Sequence, residues 1–255
     1  MSESNMMSPP HAGEADGPTM STAETLTGIF FEPGRTFEAL RARPRFLIAV
    51  IILIALALVV TVLLMQKVDF VEFITKQITS GPRSEQMTPE AKAAAIGFWT
   101  GPIGKVVIYV IPPVFIAIAI AAGAAIYLLA AMLMGGKMSY KQALSVWVYS
   151  SFPPGVLQTV LSVVILFMKS AEDIDLNKSG GGLVVTSLAA LVNPSSPALR
   201  GALSWFDLFT FYGMYLAALG LRKVGKLSSG SAWTIVIALW VIGVLWSAGR
   251  GALFG

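Results

Sequence analysis

The chain has 255 residues, 55% hydrophobic and 13% charged, against about 25% charged in an ordinary globular domain, and a water-soluble fold could not hide that much apolar surface. Its pI of about 9.4 does not point to nucleic acid, because the 18 Lys and Arg sit at the ends of apolar blocks and form no basic face with interleaved aromatics. The lack of cysteine excludes a disulfide framework, thiolate metal sites, prenyl anchors and cysteine nucleophiles.

Residues 1–20 are rich in Ser, Pro, Gly, Ala and acids and read as a disordered tail. The first long apolar run begins only at Phe46 and ends in Leu64-Met65-Gln66-Lys67 without a small-residue cleavage site, so the first span is expected to be retained. Between them, residues 21–45 form a juxtamembrane amphipathic segment. Ser21 with Glu24 makes a capping box, Leu26, Ile29, Phe30, Phe37 and Leu40 follow at roughly helical spacing, and Pro33-Gly34 breaks the segment in two. Arg35, Arg41, Arg43 and Arg45 suit a helix pair lying in the headgroup layer; a solvated linker explains the same pattern equally well.

From residue 46 to 255 the chain reads as one membrane domain. Five stretches qualify as spans of a hydrocarbon core about 30 Å thick: Phe46 to Met65, Val106 to Met134, Gln142 to Met168, Trp205 to Leu221 and Ala232 to Gly249. The fold class is thus all-α integral membrane, a five-transmembrane-helix bundle with interfacial amphipathic helices. Lys and Arg divide evenly between the two faces, so density decides orientation. The short segments 35–45, 135–141 and 222–231 are densely basic, whereas the long segments 66–105 and 169–204 mix basics with Asp69, Glu72, Glu85, Glu90, Glu172, Asp173 and Asp175. The N-terminus is therefore expected in the cytoplasm and the C-terminus outside.

In the first outer segment, Val68 to Ile78 predicts a short amphipathic helix, followed by Gly81-Pro82 and a second helix from Thr88-Pro89-Glu90. In the second, the apolar stretch Leu183 to Val192 is too short to cross and lies between Gly180-Gly181-Gly182 and Asn193-Pro194, which makes it interfacial or re-entrant.

Several of these residues carry a family pattern. They are Pro33 with Thr36-Phe37 and Leu40, then the run from Gly135 to Leu144 (GGKMSYKQAL), then Tyr149 with Phe152-Pro153-Pro154. Trp205-Phe206, Tyr212-Gly213 and Gly220-Leu221 follow. Over roughly Leu26 to Trp246 the chain resembles the Yip family of Ypt and Rab GTPase-interacting membrane proteins, in particular its bacterial branch. The resemblance implies a five-span, N-inside bundle, a bacterial inner (plasma) membrane location and a non-enzymatic scaffold or adaptor role in membrane organisation. The Asp-Leu-Tyr-Gly-Pro motif of eukaryotic members is absent, and Phe31-Glu32-Pro33-Gly34 does not replace it, so GTPase binding is not carried over.

The residues needed for catalysis are missing from the spans. The sole histidine, His11, is in the tail, Asp207 is the one acid within a proposed span, and Gly180-Gly181-Gly182 lacks the lysine of a phosphate loop. No catalytic, cofactor or metal site is expected. Asp207 is either a buried functional carboxylate, with Tyr212 or Gln158 as partner, or a group at the outer headgroup layer beside Trp205. A small-solute transporter or channel is the rival reading, because Pro112-Pro113 and Pro153-Pro154 fall in two spans and paired broken helices mark substrate sites. Pro112 could simply open its span, leaving about 35 Å of helix, whereas a helix opening at Pro154 would be about 22 Å long, so the third span must kink.

Small residues at four-residue spacing, Ala117, Ala121 and Ala125, then Gly213 with Ala217 and Gly243 with Ser247, predict tight helix packing, within the bundle in preference to a homo-oligomer. Trp99, Trp205, Trp233 and Trp246 are read as interfacial anchors. The expected partners are membrane lipids and other membrane proteins.

Overall fold

The computed structural model describes residues 19–80, 84–170, 174, 183–184 and 186–254. Residues 1–18 with His11, Gly81-Pro82, Glu172, Asp173, Asp175 and the Gly180-Gly181-Gly182 run lie outside the described residues.

The chain begins with two short helices, α1 (Thr22–Phe31) and α2 (Pro33–Ala42). The Ser21 hydroxyl accepts from the Glu24 amide at 3.2 Å, and the Glu24 carboxylate accepts from the Ser21 amide at 2.6 Å, closing the capping box. The Ser21 amide, then its hydroxyl, holds the Glu24 carboxyl below its usual range. Pro33 stands in the first turn of α2, where its missing amide costs nothing. The pair is no solvated linker: Ile29, Phe37 and Leu40 are fully buried in the main core. Burial of each is worth about 1.5–3 kcal/mol. Phe37 reaches so close to Gly220 that a β-carbon there would lie 2.9 Å from its ring. Glu38 pairs with Lys223, and Gln142 donates to the Arg41 carbonyl at 2.8 Å.

The remaining helices are α3 (Leu47–Lys67), α4 (Phe70–Ser80), α5 (Pro89–Thr100), α6 (Pro102–Leu133), α7 (Tyr140–Met168), α8 (Leu188–Val192), α9 (Pro197–Leu203), α10 (Leu208–Gly225) and α11 (Ser229–Phe254). Four of them, α3, α6, α7 and α11, are long and apolar enough to cross a membrane. The expected fourth span is only in part such a helix. Arg222 and Lys223 occupy the last turn of α10, which leaves an apolar stretch of about 21 Å, short of a core of about 30 Å.

Centrally placed, α7 packs against α10, α6 and α3. At one end of the bundle the connection between α6 and α7 meets that between α10 and α11, where the Lys137 amide donates to the Gly225 carbonyl at 3.0 Å. Gly135 (φ 78°) and Lys226 (φ 55°) take the left-handed turns these tight connections need. With α2 docked beside them, the three basic segments share that end. At the other end, Leu64, Val68, Leu166 and Ile174 form a smaller core cluster.

One proline expectation is corrected. Pro112 and Pro113 do not open α6, because the helix starts at Pro102 directly after Gly101. In α7, the hydroxyls of Ser150 and Ser151 do not serve the carbonyls that Pro153 and Pro154 leave without donors. Both instead donate to the Trp147 carbonyl, at 2.9 and 3.0 Å, since a serine on a helix reaches back three or four residues.

The small-residue face of α6 also differs from expectation. Ala117 and Ala121 are exposed and Ala125 is half-buried. α6 meets α7 through Gly123 and Ala124, because the Trp147 indole lies directly on Gly123, where a β-carbon would fall 2.3 Å from the ring. Gly213 faces the Ser150 carbonyl and Pro154, and Gly243 carries the Trp205 ring.

Candidate functional site

The segment from Thr186 to Asp207 builds the most elaborate local structure among the described residues. Ser187 and Asp207 form an isolated antiparallel bridge, and the Leu188 amide donates to the Phe206 carbonyl at 2.9 Å, so α8 starts beside the start of α10. The chain turns at Asn193 (φ 43°) and returns as α9, capped by Ser196 with Pro197 in the first turn. α9 lies on α11 with its backbone in close approach: Gly201 abuts the Ser247 carbonyl and Gly251 abuts the Pro197 carbonyl. These pairs make α9 antiparallel to α11, so α9 and α10 run in the same direction, interrupted at residues 204–207. Trp240 holds the interruption, donating from its indole to the Trp205 carbonyl at 3.1 Å and stacking edge-on against Phe206 with centroids 4.9 Å apart.

Asp207 is the N-cap of α10. Its Oδ1 accepts from the amides of Phe209 and Thr210 at 2.9 and 3.2 Å, and its Oδ2 accepts from the Thr186 hydroxyl. Neither Tyr212 nor Gln158 is its partner. Trp205 sits beside it, on Gly243.

Between this break and the proline pair of α7 lies a cavity of about 490 Å³. Ser150, Ser151 and Pro154 line it from α7, with Gln158 one turn on; Arg200 lines it from α9 and Thr210 from α10. Tyr127 and Trp147, packed edge to face at 4.7 Å, form the wall toward α6. The Nη2 of Arg200 donates to the Pro194 carbonyl at 3.0 Å, while its Nε is buried and has no hydrogen-bond partner among the described residues. Among the described residues no cluster of His, Cys, Asp and Glu could hold a metal ion.

The structure thus brings together Pro154, Asp207 and Gly213, three residues singled out in the sequence, and leaves Pro112, Pro113, Ala117, Ala121, Ala125 and Gly243 away from the cavity. Arg200 escapes a sequence reading because a basic residue in an outer segment looks solvated. The start signal Ser196-Pro197 and the glycines at 201 and 251 are the features that betray a helix pressed against α11.

The helices and their apolar surfaces define a multi-pass integral membrane protein. Residues 27–249 match the Yip1 domain, and the chain belongs to that family. It is similar to the membrane protein YknW of Bacillus subtilis (strain 168), 29% identical over 241 residues that cover 94% of this chain and 95% of the relative. No solved structure matches it.

Proposed function

We propose that the chain is a non-enzymatic membrane scaffold or adaptor of the bacterial inner membrane, acting in membrane organisation or a trafficking-like process. The observation that carries this reading is the α1–α2 pair. Phe37 and Leu40 fix it to the bundle, while Phe31, 84% exposed, and the Glu32–Arg35 ion pair face away. An aromatic held at a fixed orientation to the membrane and bordered by charge suits an anchor for a protein partner.

On this reading α9 and α10 together make a fifth, discontinuous crossing, with the N-terminus cytoplasmic and the C-terminus external. The gathering of the basic segments at one end supports it. The partner reading is tested with a photo-crosslinking residue at position 31 in the full chain in native membranes. A recurrent protein adduct is expected there and not at the exposed Val59 of α3. Adducts that do not differ between the two positions would defeat it.

A small-solute transporter is the second reading, favoured by the polar cavity beside Pro154. Saturable uptake by reconstituted protein would establish it.

A further inference from the structure

Contacts along α11 give the depth of the break between α9 and α10. Trp240 and Gly243, which hold Trp205, lie about 17–21 Å along the helix from Ser229, and Gly251, beside Pro197, lies about 33 Å along it. The turn at residues 204–207 therefore falls inside an apolar layer about 30 Å thick, with Arg200 nearer its outer edge. Non-helical backbone at such depth needs partners in the protein or a polar cavity. Here the backbone is served: the carbonyls of Trp205 and Phe206 accept from Trp240 and Leu188, and the amides of Ser204, Trp205 and Phe206 donate to Arg200, Ala202 and Leu203.

A side chain is what lacks a partner. Among the described residues, the Arg200 guanidinium gives one hydrogen bond to a carbonyl, keeps a buried Nε unpaired, and forms no ion pair with a carboxylate. Asp207, on the same cavity, has both oxygens committed to the α10 amides and Thr186. A cation in this position calls for an anion. Further donors come from separate elements: Thr210 from α10, Ser187 from the segment before α8 and Gln158 from α7. Donors converging from several directions suit a tetrahedral oxyanion better than a planar carboxylate, and a guanidinium fork pairs well with phosphate. The volume is of the order that holds a small molecule.

We infer that this cavity binds a phosphate group, carried by a small polar solute or by a lipid headgroup, with Arg200 as its anchor. Binding requires no passage across the membrane and stands whether the protein is a scaffold or a transporter.

The full chain is purified in a maltoside detergent, free of phosphate and lipid, and its thermal midpoint is followed with inorganic phosphate and glycerol phosphate against chloride of equal ionic strength. In a parallel arm, native mass spectrometry counts the phosphatidylglycerol retained by protein purified without delipidation. Saturable stabilisation in the first arm identifies a soluble source; retention of lipid in the second identifies a headgroup. Arg200→Gln should weaken whichever occurs at least about tenfold, and Arg250→Gln, on the exposed side of α11, should leave it unchanged. Should Arg200→Gln fail to fold, Gln158→Leu decides, with at least about threefold weaker binding expected. Absence of both effects in the parent, or binding equal in the parent and the cavity variants, overturns the inference.

Discussion

The hydroxyls of Thr25 and Tyr149 lie 3.0 Å apart, each residue only 1% exposed, and link the first helix of the chain to the centre of α7. A buried phenol that loses its partner bears its full desolvation cost, so Thr25→Val should destabilise the bundle by about 1–3 kcal/mol. Tyr149→Phe in that background should restore part of the loss, because both polar groups are then gone. Thermal denaturation of the single and double variants in detergent measures the coupling, and additive losses would show that the two hydroxyls do not act as a pair.

Gly123 offers a steric test of the contact between α6 and α7. Its Cα faces the Trp147 ring at a distance that admits no β-carbon, so Gly123→Leu should destabilise by about 1–3 kcal/mol or more. Ala117→Leu, on an exposed position, should be close to neutral in the monomer. If Ala117→Leu instead proves as harmful as Gly123→Leu, or alters the oligomeric state, the small-residue face of α6 is an interface between copies.

Topology can be read without background, since the chain has no cysteine. Single cysteines or reporter fusions at Lys137, Gly225 and Gly255 should report inside, inside and outside. Inside, outside and inside would instead remove the crossing by α9 and α10 and leave α10 as a surface helix.

Helix existence was legible because the apolar blocks are long and the start signals local. Ser21 with Glu24 and Thr88 with Pro89 open the helices where their chemistry says they must. The fate of residues 21–45 was not legible, because an amphipathic face records burial and not what buries it; Gly220, which admits Phe37, lies far along the chain. The cavity escaped for the same reason. Its parts come from α7, α9 and α10, and hydropathy cannot distinguish one broken crossing from a short helix after a surface loop.

Asp207 yields a test of the cap. Asp207→Leu removes the acceptor for two α10 amides and for Thr186, and should cost about 1–2 kcal/mol, whereas Asp207→Asn keeps an acceptor and should cost less. Thermal midpoints of the two variants measure the difference. Equal stability of Asp207→Leu and the parent would mean that the residue serves neither the cap nor the break.

The proline pair separates packing from passage. Pro153 and Pro154 are buried, the Ser150 carbonyl that Pro154 deprives of its amide donor faces Gly213 of α10, and Pro154 itself lines the cavity. Replacing both by alanine supplies amide donors to the Tyr149 and Ser150 carbonyls and favours a straighter α7. Straightening would move Ser150 and Ser151 relative to α10, so the detergent-solubilised double variant should lose stability or repack. Its contact with α10 can be followed by crosslinking cysteines placed at Gly213 and Ser151. If the scaffold reading holds, reconstituted parent protein shows no saturable uptake of ions, amino acids or sugars, and the variant changes nothing in that assay. Saturable uptake by the parent that the substitution abolishes would make the prolines part of a gate and displace the scaffold reading in favour of transport.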